Sequence, residues 1–226
     1  MKKSSAAIVV CVVLATALAL LAHVASRANA AQPPAGIKRY QIASAIVEYT
    51  LSGIQNGTET LYFTDYGMRE AKYTRTELKV GTFTQKTNRV TILDGATTYT
   101  IDLDAKTGTK VETPLYKNLE GKDATEVGEK MLRDMGGQKI GAESFLGKMC
   151  DVWEIKSLGS KTWLWSGIPL KTETKFAGTQ NFVSATKLEP NAQIPPDKLA
   201  LPADVKISAG VDFKMLRKAA PKKTQQ

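Results

Sequence analysis

The chain has 226 residues, with 31 Lys and Arg against 22 Asp and Glu, and a net charge of +9. That length suffices for one domain with a sizeable core. Its single histidine, His23, falls inside an apolar leader, so histidine-based nucleophilic triads, histidine-bound zinc and histidine-ligated haem are excluded downstream.

Lys2 and Lys3 form a positive start, Ala6 to Ala22 is almost wholly apolar, and Ala28-Asn29-Ala30 has the small-x-small pattern of a cleavage site. Residues 1–30 are expected to be a cleaved signal peptide, which makes the protein periplasmic, exported and soluble. The rival is a membrane anchor, but the apolar run is short beside the roughly 20 residues of a span. Cys11 sits mid-run, without the small residue before it that a lipoprotein signal requires. Loss of the leader lowers the net charge to +6 and leaves Cys150 as the lone cysteine, so no internal disulfide is expected. The remaining basicity suits either an anionic membrane surface or an ordinary solvated exterior.

Residues 31–39, with Pro33-Pro34 and Gly36, read as a flexible lead-in. A first strand is predicted over Tyr40 to Leu51, an Asn56-Gly57 hairpin turn follows, and Thr58 to Thr64 returns with Leu61 and Phe63 on one face. Met68 to Leu78, Thr82 to Gln85 and Arg89 to Leu93 continue the meander to an Asp94-Gly95 turn. Tyr99, Ile101 and Leu103 alternate with Thr100, Asp102 and Asp104, the cleanest period-two pattern in the chain. Lys110 to Glu112 adds a short strand.

The period then changes. Asp123 with Glu126 resembles a capping box, and Val127, Met131, Leu132 and Met135 define one apolar helical stripe that Gly136-Gly137 ends. After a turn over Gly141 to Cys150, Asp151 to Lys156 is a strand with Trp153 and Ile155 on one face. An aromatic hairpin carries Trp163 and Trp165 on one strand and turns through Ser166-Gly167-Ile168-Pro169. Asn181 to Leu188 is a further strand, 190–204 is an irregular proline-rich segment, and 211–226 is a basic disordered tail. Nine or ten short strands around one helix indicate a mostly β protein: one curled antiparallel sheet, an incomplete β-barrel over 40–210, with the mid-chain helix covering its concave face.

Three segments carry a resemblance: Thr91-Ile-Leu-Asp-Gly95 with Tyr99-Thr-Ile-Asp102; Gly141-x-Glu143-x-Phe145-x-Gly147-Lys148-x-Cys150; and Trp163-x-Trp165-x-Gly167-Ile-Pro169-Leu-Lys171, with Leu201-Pro202-Ala203 closing the domain. They resemble the LolA/LolB-like outer-membrane lipoprotein-sorting superfamily, above all its DUF4412-type members. The resemblance spans roughly 40–206. It implies a half-barrel of about eleven strands whose hydrophobic side takes acyl chains in the carriers of known function. Arg69 and Arg75 stand on predicted strands in no matching motif for the arginine that holds those carriers' lid.

The residues expected to line a hydrophobic-ligand site are Phe63, Tyr99 and Ile101 from the first half of the sheet. Trp153, Ile155, Trp163 and Trp165 come from the second half, and Met131, Leu132 and Met135 from the helix. The same residues suit a self-filled core, in which case the chain is a cell-envelope protein-interaction module. Cys150, between Met149 and Asp151, reads as a buried inert thiol rather than a reactive one. No phosphate loop, CxxC, GxSxG, calcium loop or RNA-binding motif occurs, and no pair of carboxylates is spaced for acid–base work. The expectation is a non-enzymatic binder without cofactor, metal or nucleic-acid partner. Its ligand is a lipid, a lipoprotein acyl chain or another apolar molecule.

Overall fold

The computed structural model describes residues 38–112, 124–176 and 178–210. Twelve strands form one sheet: β1 (Ala45–Gly53), β2 (Gln55–Thr64), β3 (Arg69–Val80), β4 (Phe83–Asp94), β5 (Thr97–Asp102), β6 (Thr107–Glu112), β7 (Gly137–Phe145), β8 (Lys148–Ile155), β9 (Ser160–Trp165), β10 (Ile168–Phe176), β11 (Thr179–Pro190) and β12 (Lys206–Ala209). A single described α-helix, α1 (Ala124–Asp134), stands between β6 and β7. The order across the sheet is β12-β6-β5-β4-β3-β2-β1-β11-β10-β9-β8-β7. Two meanders, β1–β6 and β7–β11, are joined where β11 pairs with β1. All pairings are antiparallel except β12 with β6, which is parallel.

The curl of the sheet follows from the helix. Seven strand spacings separate β4 from β8, about 34 Å if the sheet were flat. Yet Val127 packs on Met68, Leu93 and Ala96 at the β3–β5 side, while the Arg133 guanidinium lies 5.7 Å from the Trp153 ring centre on β8. Those two helical residues are only about 9 Å apart along the axis. The sheet therefore wraps around the face that carries Leu93 and Trp153, as an incomplete barrel with α1 across its mouth. The mostly β fold class with one curled sheet is the one expected from the sequence.

Several details differ. The first reversal lies at 52–56, since Leu51 pairs with Gly57, and Asn56-Gly57 belongs to β2. Gly53 takes the tight turn at φ +120°, where a Cβ would strike the Gln180 carbonyl, and Asn56 Nδ2 donates to Gly53 O at 3.0 Å. The second tight turn is Gly95-Ala96, because Asp94 already pairs with Thr97. Residues 83–85 and 89–93, expected as separate pieces, belong to one continuous strand, β4. Gly141 to Cys150, expected as a turn, instead holds the second half of the edge strand β7 and the start of β8; the exposed, mixed composition of β7 hides the period-two signal. Gly136, at φ +81°, ends the helix, and the chain re-enters the sheet so closely that a Cβ on Gly137 would lie 2.6 Å from Leu132 O. The expected helix cap Asp123, the residues 1–37 and the tail 211–226 lie outside the described residues.

Both faces of the β2–β6 half are covered. On the convex side, the segment after β11 lays Ile194 and Leu199 over Ala71, Val90, Ile92 and Ile101, and the Tyr73 hydroxyl donates to Lys198 O at 3.0 Å. The largest core joins Ala45, Val47, Leu61 and Phe63 to Cys150, Val152, Trp163, Ile168 and Leu170, with Tyr40 among them. The last two flank the bulge between Pro169 and Lys171, a register slip of the kind that re-aims side chains.

Candidate functional site

Strand alternation and the register define the concave face row by row. The row at one end runs Ile155, Ser160, Thr174, Asn181 and Gly53 across β8, β9, β10, β11 and β1. The next runs Trp153, Thr162, Thr172, Val183 and Leu51. Further along stand Tyr49, Glu59 and Thr74, then Val47, Leu61 and Lys72, and finally Ala45, Phe63, Glu70 and Leu93.

The floor is amphiphilic. Phe63, Trp153 and Ile155 are buried on it, and so are Thr74, Ser160, Thr162 and Thr174. Thr162 and Thr172 hydroxyls lie 3.4 Å apart. Charges on this face are paired. Lys72 Nζ is 3.6 Å from Glu59, and Thr74 donates to the same carboxylate at 3.0 Å. Glu70, 3% exposed, accepts from Arg39 at 3.0 Å and from the Tyr40 hydroxyl at 2.8 Å. Burial first, then Tyr40, Glu59 and Glu70, push the Tyr49 phenol well above its ordinary range.

Arg39 belongs to a strap formed by the start of the described chain. Arg39 N and Tyr40 N donate to Tyr66 O, and Gln41 N donates to Ser166 O. The strap thus ties the β2–β3 connection to the β9–β10 turn. Gly167, at φ +81°, lies against it: a Cβ there would meet Arg39 O at 3.1 Å.

The ten residues expected as a lining do not share a face. Phe63, Trp153 and Ile155 are on the concave side, and Met131, Leu132 and Met135 are half-buried on the helix above it. Tyr99 and Ile101 are on the opposite face, because Leu93 pairs with Thr98; they pack with Ile194 and Leu199. Trp163 and Trp165 alternate to the opposite face of β9 from Thr162, beside Val152, yet Trp163 joins Phe63, Val47 and Leu61 in the largest core and Trp165 packs against it. Trp163 Nε1 donates to Glu143 at 2.7 Å, and Lys171 sits 4.3 Å above its ring. Lys148 covers Trp165 in the same way at 4.9 Å. These lysines each cover one face of an indole. The polar floor residues Glu59, Lys72, Ser160, Thr162, Thr172, Thr174 and Asn181 are not among the residues expected from the sequence. The threonines at 172 and 174 alternate with Lys171, Glu173 and Lys175, and only the pairing register tells which set points inward.

Cys150 is fully buried and free; burial raises its thiol above the ordinary range, against a lowering backbone hydrogen bond at Phe145. Among the described residues no three His, Cys, Asp or Glu side chains cluster as a metal site. A cleft of about 350 Å³ at the far strand tips is lined by polar groups including Arg75, Glu77, Lys86 and Asp104, and by none of the ten. Among the described residues no helix is long and apolar enough to cross a membrane.

No protein-family profile and no curated protein matches the chain. Solved structures do. An uncharacterised conserved protein of Thermus thermophilus aligns at 10% identity and TM-score 0.47, over 76% of this chain and 95% of that one. MucB in the Pseudomonas aeruginosa MucA/MucB complex aligns at 14% identity and TM-score 0.41, over 73% of this chain and 58% of MucB. A Vibrio parahaemolyticus domain described as an outer-membrane lipoprotein-sorting protein aligns at 12% identity and TM-score 0.24, over 70% and 89%.

Proposed function

We propose that the chain is a non-enzymatic, exported envelope protein that holds the apolar part of a ligand, such as an acyl chain, between α1 and the concave face. One observation carries this reading. Val127, Met131 and Leu132 on α1, with Met135 just after it, form one apolar stripe, and all four are only half-buried although the helix spans the mouth of the barrel. A helix serving only as a plug would bury that stripe as fully as the sheet buries Ile155 and Phe63. Residues 1–30 act as the export signal and 40–210 as the binding domain, with the DUF4412-type likeness resting on the motifs quoted above. The test is native mass spectrometry and lipid extraction of protein purified from its own host. A Trp163→Phe/Trp165→Phe variant reports Trp153 fluorescence on titration with lauric acid. Ligand-free protein together with an unresponsive Trp153 would overturn the reading.

A second reading, protein interaction at the envelope, is favoured by the β7–β8 hairpin. It forms a sheet edge and exposes Ile140, Leu146 and Met149. Crosslinking to one dominant protein partner that survives changes at Trp153 and Leu132 would support it over the first.

A further inference from the structure

The end row of the concave face contains two polar atoms that are buried and have no hydrogen-bond partner among the described residues: Ser160 Oγ and Asn181 Oδ1. Ser160 is 2% exposed. They flank Thr174, itself buried, and each is paired with it in register. Buried polar groups are nearly always satisfied, so two on one row require an explanation. Ser160 and Asn181 are two strand spacings apart, about 10 Å. The row ends at Gly53, which has no side chain to cover Asn181. The adjoining row adds the hydroxyls of Thr162 and Thr172.

The charge pattern limits the occupant. From Ile155 to Gly53 the row carries no ionisable side chain, and neither does the next between Trp153 and Leu51. Lys139, opposite Trp153 at the sheet edge, is exposed and paired with Asp151 at 2.7 Å. Arg133 of α1, over the Trp153 ring, is exposed and already paired with Glu129 at 3.1 Å, so a charged head would lose its hydration here without a free counter-charge. A group with several hydroxyls, each both donor and acceptor, matches a serine, three threonines and an amide oxygen spaced at strand intervals.

We infer that the Ser160–Thr174–Asn181 row is a subsite for a neutral, hydroxyl-rich group of the glycerol or sugar type, forming the polar head of the ligand whose chain lies under α1. This rests on the apolar-ligand reading above and adds the head-group class. Ile155 links the two parts: it pairs with Ser160 on one side and, on the other, with Gly137, where the chain leaves the helix.

The test compares three probes with one twelve-carbon chain, glycerol monolaurate, lauric acid and dodecyltrimethylammonium, by calorimetry on the purified protein. The uncharged ester binds about tenfold more tightly than either charged probe. Ser160→Ala and Asn181→Ala each weaken the ester about tenfold and leave the charged probes unchanged. Ser160→Ala also raises the Tm of the unliganded protein, since it removes an unpaired buried hydroxyl. Equal binding of all three probes overturns the head-group inference and leaves the chain-binding reading standing. Raised Tm with unaltered ester affinity in Ser160→Ala identifies an internal water as the occupant and also overturns it. Binding of none of the probes overturns both.

Discussion

Arg39 Nη1 lies 3.0 Å from Glu70 Oε2, with side chains 9% and 4% exposed, and it donates to Gly67 O at 2.6 Å. This buried pair fixes the strap to β3. Removing one partner leaves the other charged and desolvated, so Glu70→Ala or Arg39→Ala costs about 3 kcal/mol or more. Urea denaturation measures the loss. An Arg39→Met/Glu70→Leu double variant recovers much of it, because neither buried charge remains to be desolvated.

Trp153 reports on the helix. In a Trp163→Phe/Trp165→Phe background it is the sole tryptophan, 3% exposed and beneath Arg133. Val127→Asp puts a charge against Met68, Leu93 and Ala96 and lifts α1. Acrylamide quenching of Trp153 then rises several-fold, while far-ultraviolet circular dichroism keeps its strand signal.

Tyr49 sets an alkaline limit. Its folded-state pKa is raised by burial and by Tyr40, Glu59 and Glu70, so the folded chain holds the phenolic proton more tightly than the unfolded one. The stability this contributes is complete below the unfolded value near pH 10 and is lost as pH climbs through the folded value. In Tyr49→Phe the fall in stability above about pH 10 is shallower, as chemical denaturation at stepped pH measures.

Cys150 is buried at the start of β8 with a raised thiol pKa, the first cause being burial. Iodoacetamide at about pH 8.5 therefore alkylates it only through unfolding. Modification, followed by mass spectrometry, speeds up in step with urea and shows no native burst.

Much of the sheet is legible in the sequence because turn chemistry and alternation agree over Tyr99–Asp102 and Trp163–Trp165, and the helical stripe at 127–135 stands out by its period. Alternation says which residues share a face, not which face is inside. Tyr99 and Ile101 read as lining because they are apolar, yet 192–205 covers them from the convex side, a long-range contact without a local sign. The inward threonines give no signal because an interior that accepts hydroxyls looks, in sequence, like a solvent face. Ser160 and Asn181 acquire their meaning only from Thr174 between them.

The place of β11 bears on how the chain assembles. Thr186 and Glu48 meet across 138 residues of sequence, and the β1–β11 seam is where the two meanders join. Each meander can form from nearby hairpins, but the barrel cannot curl until its penultimate strand has arrived. Refolding is accordingly limited by one long loop closure. A chain halted before β11 would leave unpaired the β1 and β10 edges that β11 joins, so this seam is where misassembly between copies would begin.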